Sequence, residues 1–85
     1  MSRPPLNTLQ GFAAAARSGN LTRAAESMHL TVSALSHQIR ALEEHLGRRL
    51  FDRGPRGVVL TDEGRRLLAE TDPHLDALEQ ALRPP

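Results

Sequence analysis

The stretch that most constrains the fold is residues 31–46, TVSALSHQIRALEEHL, which has the periodicity of a helix with two different faces. One face is an apolar stripe at helical spacing, made of Leu35, Ile39, Leu42 and Leu46. A second face, called the polar face below, carries hydrogen-bonding side chains and one permanent cation: Ser33, Ser36, His37 and Arg40. The pattern predicts a helix that packs on a core with one face and contacts a polar partner with the other.

Two shorter helical segments precede this helix. The first spans about residues 8–18, with a capping box predicted from Asn7 to Gln10, and the second spans about residues 21–28. A turn of very few residues follows, and Thr31 is the predicted N-cap of the third helix. Two helices joined by a tight turn, the second with one apolar and one polar face, are typical of a helix-turn-helix.

Gly47 is predicted to end the third helix, and a short hairpin is predicted after it. Two strands, residues 50–53 and 58–60, flank a turn that contains two glycines and a proline. Arg53 and Arg56 lie at or beside the tip, and a basic hairpin after such a helix is typical of a wing. The neighbouring Arg48 and Arg49 either add to this basic surface or pair with Glu43 and Glu44, and the sequence favours neither alternative.

A long last helix is predicted to begin at Thr61, with acids in its first turn that match the helix dipole. Pro73 removes a hydrogen bond inside it, at about 3 kcal/mol. Pro73 therefore either kinks one long helix, which we favour, or starts a second helix that Asp72 caps. Leu67 is predicted to pack on this chain's own core. Four leucines are predicted to pack on a partner helix: Leu68, Leu75, Leu78 and Leu82.

Composition narrows the class of protein. With 85 residues and no cysteine, the chain is expected to be one small domain without disulfides or thiolate metal sites. It has no apolar run of bilayer length and no signal peptide, so we expect a cytoplasmic location and no membrane contact. No two of its four histidines stand four residues apart on a helix, and no catalytic arrangement is evident. We therefore expect no metal, no cofactor and no enzymatic activity.

Charge is distributed unevenly along the chain. Residues 1–60 carry eight arginines against four acids, whereas residues 61–85 carry three arginines against six acids. This asymmetry indicates different partners for the two parts. The favoured partner of the basic part is nucleic acid. The alternative is a small helical protein-interaction or antitoxin-like module that uses the acidic, leucine-rich tail, but the basic hairpin has no purpose in that interpretation.

Several phrases of the sequence resemble those of the LysR-type transcriptional regulators. They occur in the right order over about residues 5–70: GNLTRAAE from Gly19, SHQIRALEE from Ser36, LFDR from Leu50 and LTDEG from Leu60. The phrase PLN from Pro5, the first four residues of the phrase from Ser36 (SHQI) and the Arg-Gly wing turn resemble the branch that contains the glycine-cleavage and β-lactamase gene regulators.

This resemblance implies a mainly α fold. It has a winged helix-turn-helix at residues 4–61, with the motif at about 21–40 and the wing at about 50–60. A linker helix at residues 62–85 would form an antiparallel homodimer. The resemblance also implies double-stranded DNA with an inverted repeat as the target, in bacteria, and regulation of transcription. Full-length members usually form tetramers and bind small-molecule effectors through a C-terminal domain that is absent from these 85 residues.

The resemblance also assigns the contacts. The start of the third helix would enter the major groove and the wing would reach the minor groove. The DNA-binding residues predicted in this way are Thr31, Val32, Ser33, Ser36, His37, Arg40, Arg53 and Arg56. Two of them depart from the family pattern. Val32 replaces a common glutamine and can contact only a thymine methyl group. His37 replaces a common arginine, so a permanent cation becomes a titratable side chain.

Overall fold

The computed structural model describes residues 6–54 and 57–85, with the backbone alone at positions 53 and 54. The elements, in chain order, are α1 (Leu6–Ser18), α2 (Leu21–Ser27), α3 (Val32–Leu46), β1 (Phe51–Gly54), β2 (Gly57–Leu60) and α4 (Asp62–Ala81). The two strands pair antiparallel, with Phe51 opposite Leu60. The predicted mainly α fold with a two-stranded wing is therefore confirmed.

The core forms where the apolar stripe of α3 meets α1 and the hairpin. Leu35 of α3, Phe12 of α1 and Leu50 before β1 are fully buried. The ring of Phe12 packs against the ring of Phe51, with centroids 5.5 Å apart. Helix α1 crosses α3 closely at Gly11, where an added Cβ would lie 3.0 Å from a methyl carbon of Leu35. The buried stripe leaves the polar face of α3 on the outside of the domain.

Capping residues fix where the helices begin and end. Thr31 Oγ1 accepts the Ala34 amide at 3.0 Å, and Gly47 ends α3 in the left-handed region at φ 68°. Thr61 Oγ1 accepts the amide of Gly64 at 3.0 Å at the start of α4. These predictions are confirmed. The predicted capping box of α1 is wrong, because the helix already includes Leu6 and Asn7 therefore lies inside its first turn.

His29, in the turn between α2 and α3, has a strained backbone conformation. His29 adopts φ 57°, in the left-handed region that glycine tolerates and other residues disfavour. Replacing His29 with glycine is therefore expected to raise the free energy of unfolding by about 0.5–1 kcal/mol, measured by chemical denaturation. His29→Ala is the control, since it removes the imidazole but keeps the strained Cβ. A glycine variant no more stable than the alanine variant would contradict the account.

Helix α4 is continuous from Asp62 to Ala81 and includes Pro73, so the alternative of a second helix starting there is wrong. It returns along α1, which changes the role of two leucines that were assigned to a partner. Leu68 packs against the chain's own core, and Leu75 is only 8% exposed beside Ala13 and Ala14 of α1. The prediction that Leu75 lies beyond the chain's own core is therefore wrong. Leu67 packs on the core as predicted, whereas Leu78 and Leu82 are 61% and 84% exposed.

Candidate nucleic-acid interface

The first two turns of α3 form the centre of the candidate interface. Five of the contact residues predicted on α3 and at its N-cap are exposed: Thr31, Val32, Ser33, His37 and Arg40. The stretch contains no acidic residue before Glu43, and the first turn of the helix lacks one as well. Because a helix N-terminus carries a partial positive charge, this end of α3 is electrostatically suited to an anionic partner.

Ser36 differs from the other residues of the polar face. It is only 7% exposed, so the structure buries one of the four residues that the sequence assigned to the face in contact with a polar partner. The helical repeat explains the difference, because Ser36 lies about 60° around the helix from the buried Ile39. A DNA contact by Ser36 stays a prediction, and in this structure it would have to be made from the edge of the interface.

The wing begins beside the C-terminal end of α3. Its register pairs the backbone of Arg53 with Val58 and that of Gly54 with Gly57. The side chain of Arg53 and the whole of Arg56 lie outside the described residues, so their predicted minor-groove contacts stay predictions. β1 and β2 follow α3 in the chain, so the described part of the wing adjoins the C-terminal end of that helix.

The alternative pairing of Arg48 and Arg49 with Glu43 and Glu44 is wrong. Arg48 instead forms an ion pair with Glu63 of α4 at 2.7 Å, and Arg49 donates to the carbonyl of Phe51 at 3.3 Å. The carboxylate of Glu43 is occupied by backbone donors: the amide of Leu50 lies 2.7 Å from its Oε2 and the amide of Phe51 lies 3.4 Å away.

These two hydrogen bonds make Glu43 a connection between α3 and the wing. Periodicity cannot reveal this role, because it depends on backbone amides brought close by the turn at Gly47. The same junction continues into α4, where the hydroxyl of Thr61 donates to the carbonyl of Arg49 at 2.7 Å. The amide of Thr61 in turn donates to the carbonyl of Leu50 at 3.0 Å. The C-terminal end of α3, the wing and the start of α4 are thus held by one hydrogen-bond network.

Removing the Glu43 carboxylate is expected to destabilise this junction. Glu43→Ala should lower the free energy of unfolding by about 1.5–3 kcal/mol, because a charge-assisted hydrogen bond is lost and a part-buried amide is left unpaired. Chemical denaturation measures the effect. The matched control is Glu44→Ala, an exposed neighbour, for which a change within about 0.5 kcal/mol is expected. Equal losses in both variants would show that Glu43 does not join α3 to the wing.

The part of the chain that the structure describes offers neither a metal site nor a membrane-spanning helix. There, no group of three or more His, Asp or Glu side chains is placed to hold a metal ion. No helix in residues 6–54 and 57–85 has the length and apolar character needed to cross a membrane. The cleft between α3 and the hairpin, about 570 Å³ in volume, is open and lined by both acids and arginines, among them Arg40, Glu43 and Arg48.

Comparison with known proteins places this architecture among regulators. Residues 6–65 match the family described as bacterial regulatory helix-turn-helix protein, lysR family. The chain is 47% identical to the HTH-type transcriptional activator AmpR of Providencia stuartii over 95% of its own length and 28% of that protein. It is 45% identical to the glycine cleavage system transcriptional activator of Escherichia coli K12, over 94% of its own length and 26% of the relative. The chain thus spans little more than a quarter of these relatives.

Solved structures show the same similarity. A BenM_DBD/catB site 1 DNA complex matches with a TM-score of 0.83 and 34% identity, over 91% of this chain and 86% of that one. The CbnR_DBD-DNA complex matches with a TM-score of 0.79 and 32% identity, over 88% and 86% of the two chains. Two of the structures similar to this fold were therefore solved with DNA.

Proposed function

Because the chain belongs to the lysR family of bacterial regulatory helix-turn-helix proteins, we propose that it is a sequence-specific double-stranded DNA-binding domain of a transcription regulator. The observation that carries the proposal is the exposed, acid-free start of α3 on a fold shared with DNA complexes. The first two turns of α3 would lie in the major groove, and the wing would reach the flanking minor groove through Arg53 and Arg56. Phosphate contacts would supply affinity and contacts to base edges would supply specificity.

A homodimer is the second part of the proposal. The exposed Leu78 and Leu82 leave an apolar strip on the last turns of α4, of the kind that a second α4 would bury. A two-fold symmetric dimer presents two α3 helices, so the proposed site is an inverted repeat with half-sites about one helical turn or more apart. Tetramers and a small-molecule effector are implied only for longer members of the family, and we propose neither for these 85 residues. The proposed location is the bacterial cytoplasm, on the nucleoid when DNA is bound.

Selection of bound sequences from a random DNA pool tests the proposal. The expected result is enrichment of one inverted repeat, together with a dimeric mass in solution. A protein that enriches no sequence and shows no affinity for nonspecific DNA would contradict it. That result, with a mass showing association through the acidic tail, would favour the alternative of a small protein-interaction module.

A further inference from the structure

We propose that Arg17 determines which spacing of half-sites the dimer accepts, because it fixes the second half of α4 against α1. This inference rests on the proposed function, since it concerns a dimer bound to an inverted repeat. It assigns a positioning role to a side chain that the DNA-contact predictions do not include.

Arg17, at the end of α1, faces three acids of α4. Its Nε lies 3.0 Å from Oδ1 of Asp72, and its terminal nitrogens reach Asp76 at 3.3 Å and Glu79 at 3.7 Å. The three acids follow one another at intervals of four and three residues, so they share one face of α4. A single guanidinium therefore spans two turns of the helix. The position of α4 along α1 is set by several contacts at once.

The adjacent face of α4 carries the buried apolar contact between the two helices. Leu75 lies between Asp72 and Asp76 and is buried in the groove that Ala13 and Ala14 line. Leu75 supplies the apolar burial that holds the helices together, but an apolar contact alone tolerates sliding and rotation. Arg17 adds directional contacts on both sides of that leucine and so restricts both movements.

The charge arrangement is a network with one cation at its centre. The hydrogen bond that the Arg17 guanidinium donates to the Asp72 carboxylate raises the pKa of Arg17, and the charges of Asp72, Asp76 and Glu79 act in the same direction. Isolated exposed ion pairs contribute little to stability, and networks are the exception. Because Arg17 is 39% exposed and its three partners are 40% to 59% exposed, solvent screens their charges, so we expect a modest effect on the free energy of unfolding and assign Arg17 a geometric role.

The position of α4 matters because the proposed dimer forms through its last turns. The exposed Leu78 and Leu82 lie beyond the Arg17 network, whereas α3 packs against α1 at Gly11, more than one helical turn before Arg17. The angle between α1 and α4 therefore sets the distance and rotation between the two α3 helices. Adding one base pair to a DNA site moves a half-site by about 3.4 Å and rotates it by about 35°. A rigid connection discriminates against such a change, and a loose one accepts it.

The test measures spacing preference. The inverted repeat recovered by selection is lengthened and shortened in steps of one base pair, and the dissociation constant of each site is measured for the 85-residue protein. For the unchanged protein we expect one added base pair to raise the dissociation constant about 10-fold, which is similar to the cost of one mismatched base pair. In Arg17→Ala the penalty is expected to fall at least about 3-fold, with Arg17→Lys between the two. Asp76→Asn weakens the same network from α4 and should shift the penalty in the same direction.

Arg66→Ala is the matched control, because it removes one exposed arginine of α4 that lies outside the Arg17 network and twelve residues from Leu78. It should leave the spacing penalty unchanged. If Arg17→Ala and Asp76→Asn weaken binding equally at every spacing, or leave the penalty unchanged, the positioning role is overturned while the DNA-binding function stands. Absence of any DNA binding by the unchanged protein would overturn both. Thermal unfolding of each variant confirms that the constants refer to folded protein.

Discussion

Replacing Ser33 with glutamate is expected to weaken binding to the selected operator by at least about 100-fold while leaving the domain folded. Ser33 lies exposed in the first turn of α3, at the centre of the candidate interface. Glutamate removes the hydroxyl and with it one contact to the site. Losing one such contact is expected to cost about 1–3 kcal/mol of binding free energy, as one mismatched base pair does. It also places a negative charge against the DNA backbone. The effect on binding should therefore exceed that of Ser33→Ala.

The same substitution should not harm the helix. The first turn of α3 has no acidic residue, and an acid near a helix N-terminus stabilises the helix by about 0.3–1 kcal/mol. Gln80→Glu is the matched control, because it adds the same charge at an exposed position near the end of α4. Gel shifts and denaturation of both variants give the result. Similar losses of affinity in both would mean that net charge decides binding, and that Ser33 is not at the interface.

Gly64→Ala is expected to have the largest effect on stability. Gly64 is buried near the start of α4, and an added Cβ would lie 2.2 Å from the carbonyl oxygen of Leu50 and 2.9 Å from a methyl carbon of Leu60. Backbone cannot give way as a flexible side chain can, and the Leu50 carbonyl also accepts the Thr61 amide. We expect a loss of at least about 3 kcal/mol in the free energy of unfolding, the upper part of the range for overpacked cores.

The expected loss is opposite to the usual effect of this substitution, because alanine normally stabilises a helix relative to glycine by about 0.5–1 kcal/mol. Gly19→Ala is the control with the same chemical change. Gly19 has φ 67° and nothing within 4 Å of an added Cβ, so only backbone strain of about 1–2 kcal/mol is expected. Chemical denaturation compares the two variants. A Gly64→Ala protein as stable as the unchanged one would show that α4 does not pack this closely against the residues before β1.

Features that depend on local patterning could be predicted from the sequence. The apolar stripe of α3, the N-caps Thr31 and Thr61, and the glycine that ends α3 all act within a few residues of the chain. The order of helices and strands followed from them. The close approaches at Gly11 and Gly64 were not predictable, because helical periodicity gives no reason for a glycine whose neighbour comes from another element.

The predictions that were wrong also concern contacts between elements, which local patterning does not determine. Leu75 was assigned to a partner because periodicity gives the apolar face of α4 but not the direction in which the helix runs along α1. Pairing of Glu43 with an arginine stayed open as an alternative, because only the folded turn after α3 brings backbone amides to its carboxylate. Ser36 lies at the border of two faces, where one position around the helix decides between burial and exposure.

The most direct test of the central claim is the salt dependence of binding to the selected inverted repeat. The claim is that the start of α3 and the wing contact DNA phosphates as well as bases. We expect the logarithm of the binding constant to fall linearly with the logarithm of salt concentration, with a loss of at least about 100-fold between 50 and 200 mM. A scrambled sequence should bind more weakly throughout. An affinity unaffected by salt, or equal affinities for the operator and the scrambled sequence, would contradict it.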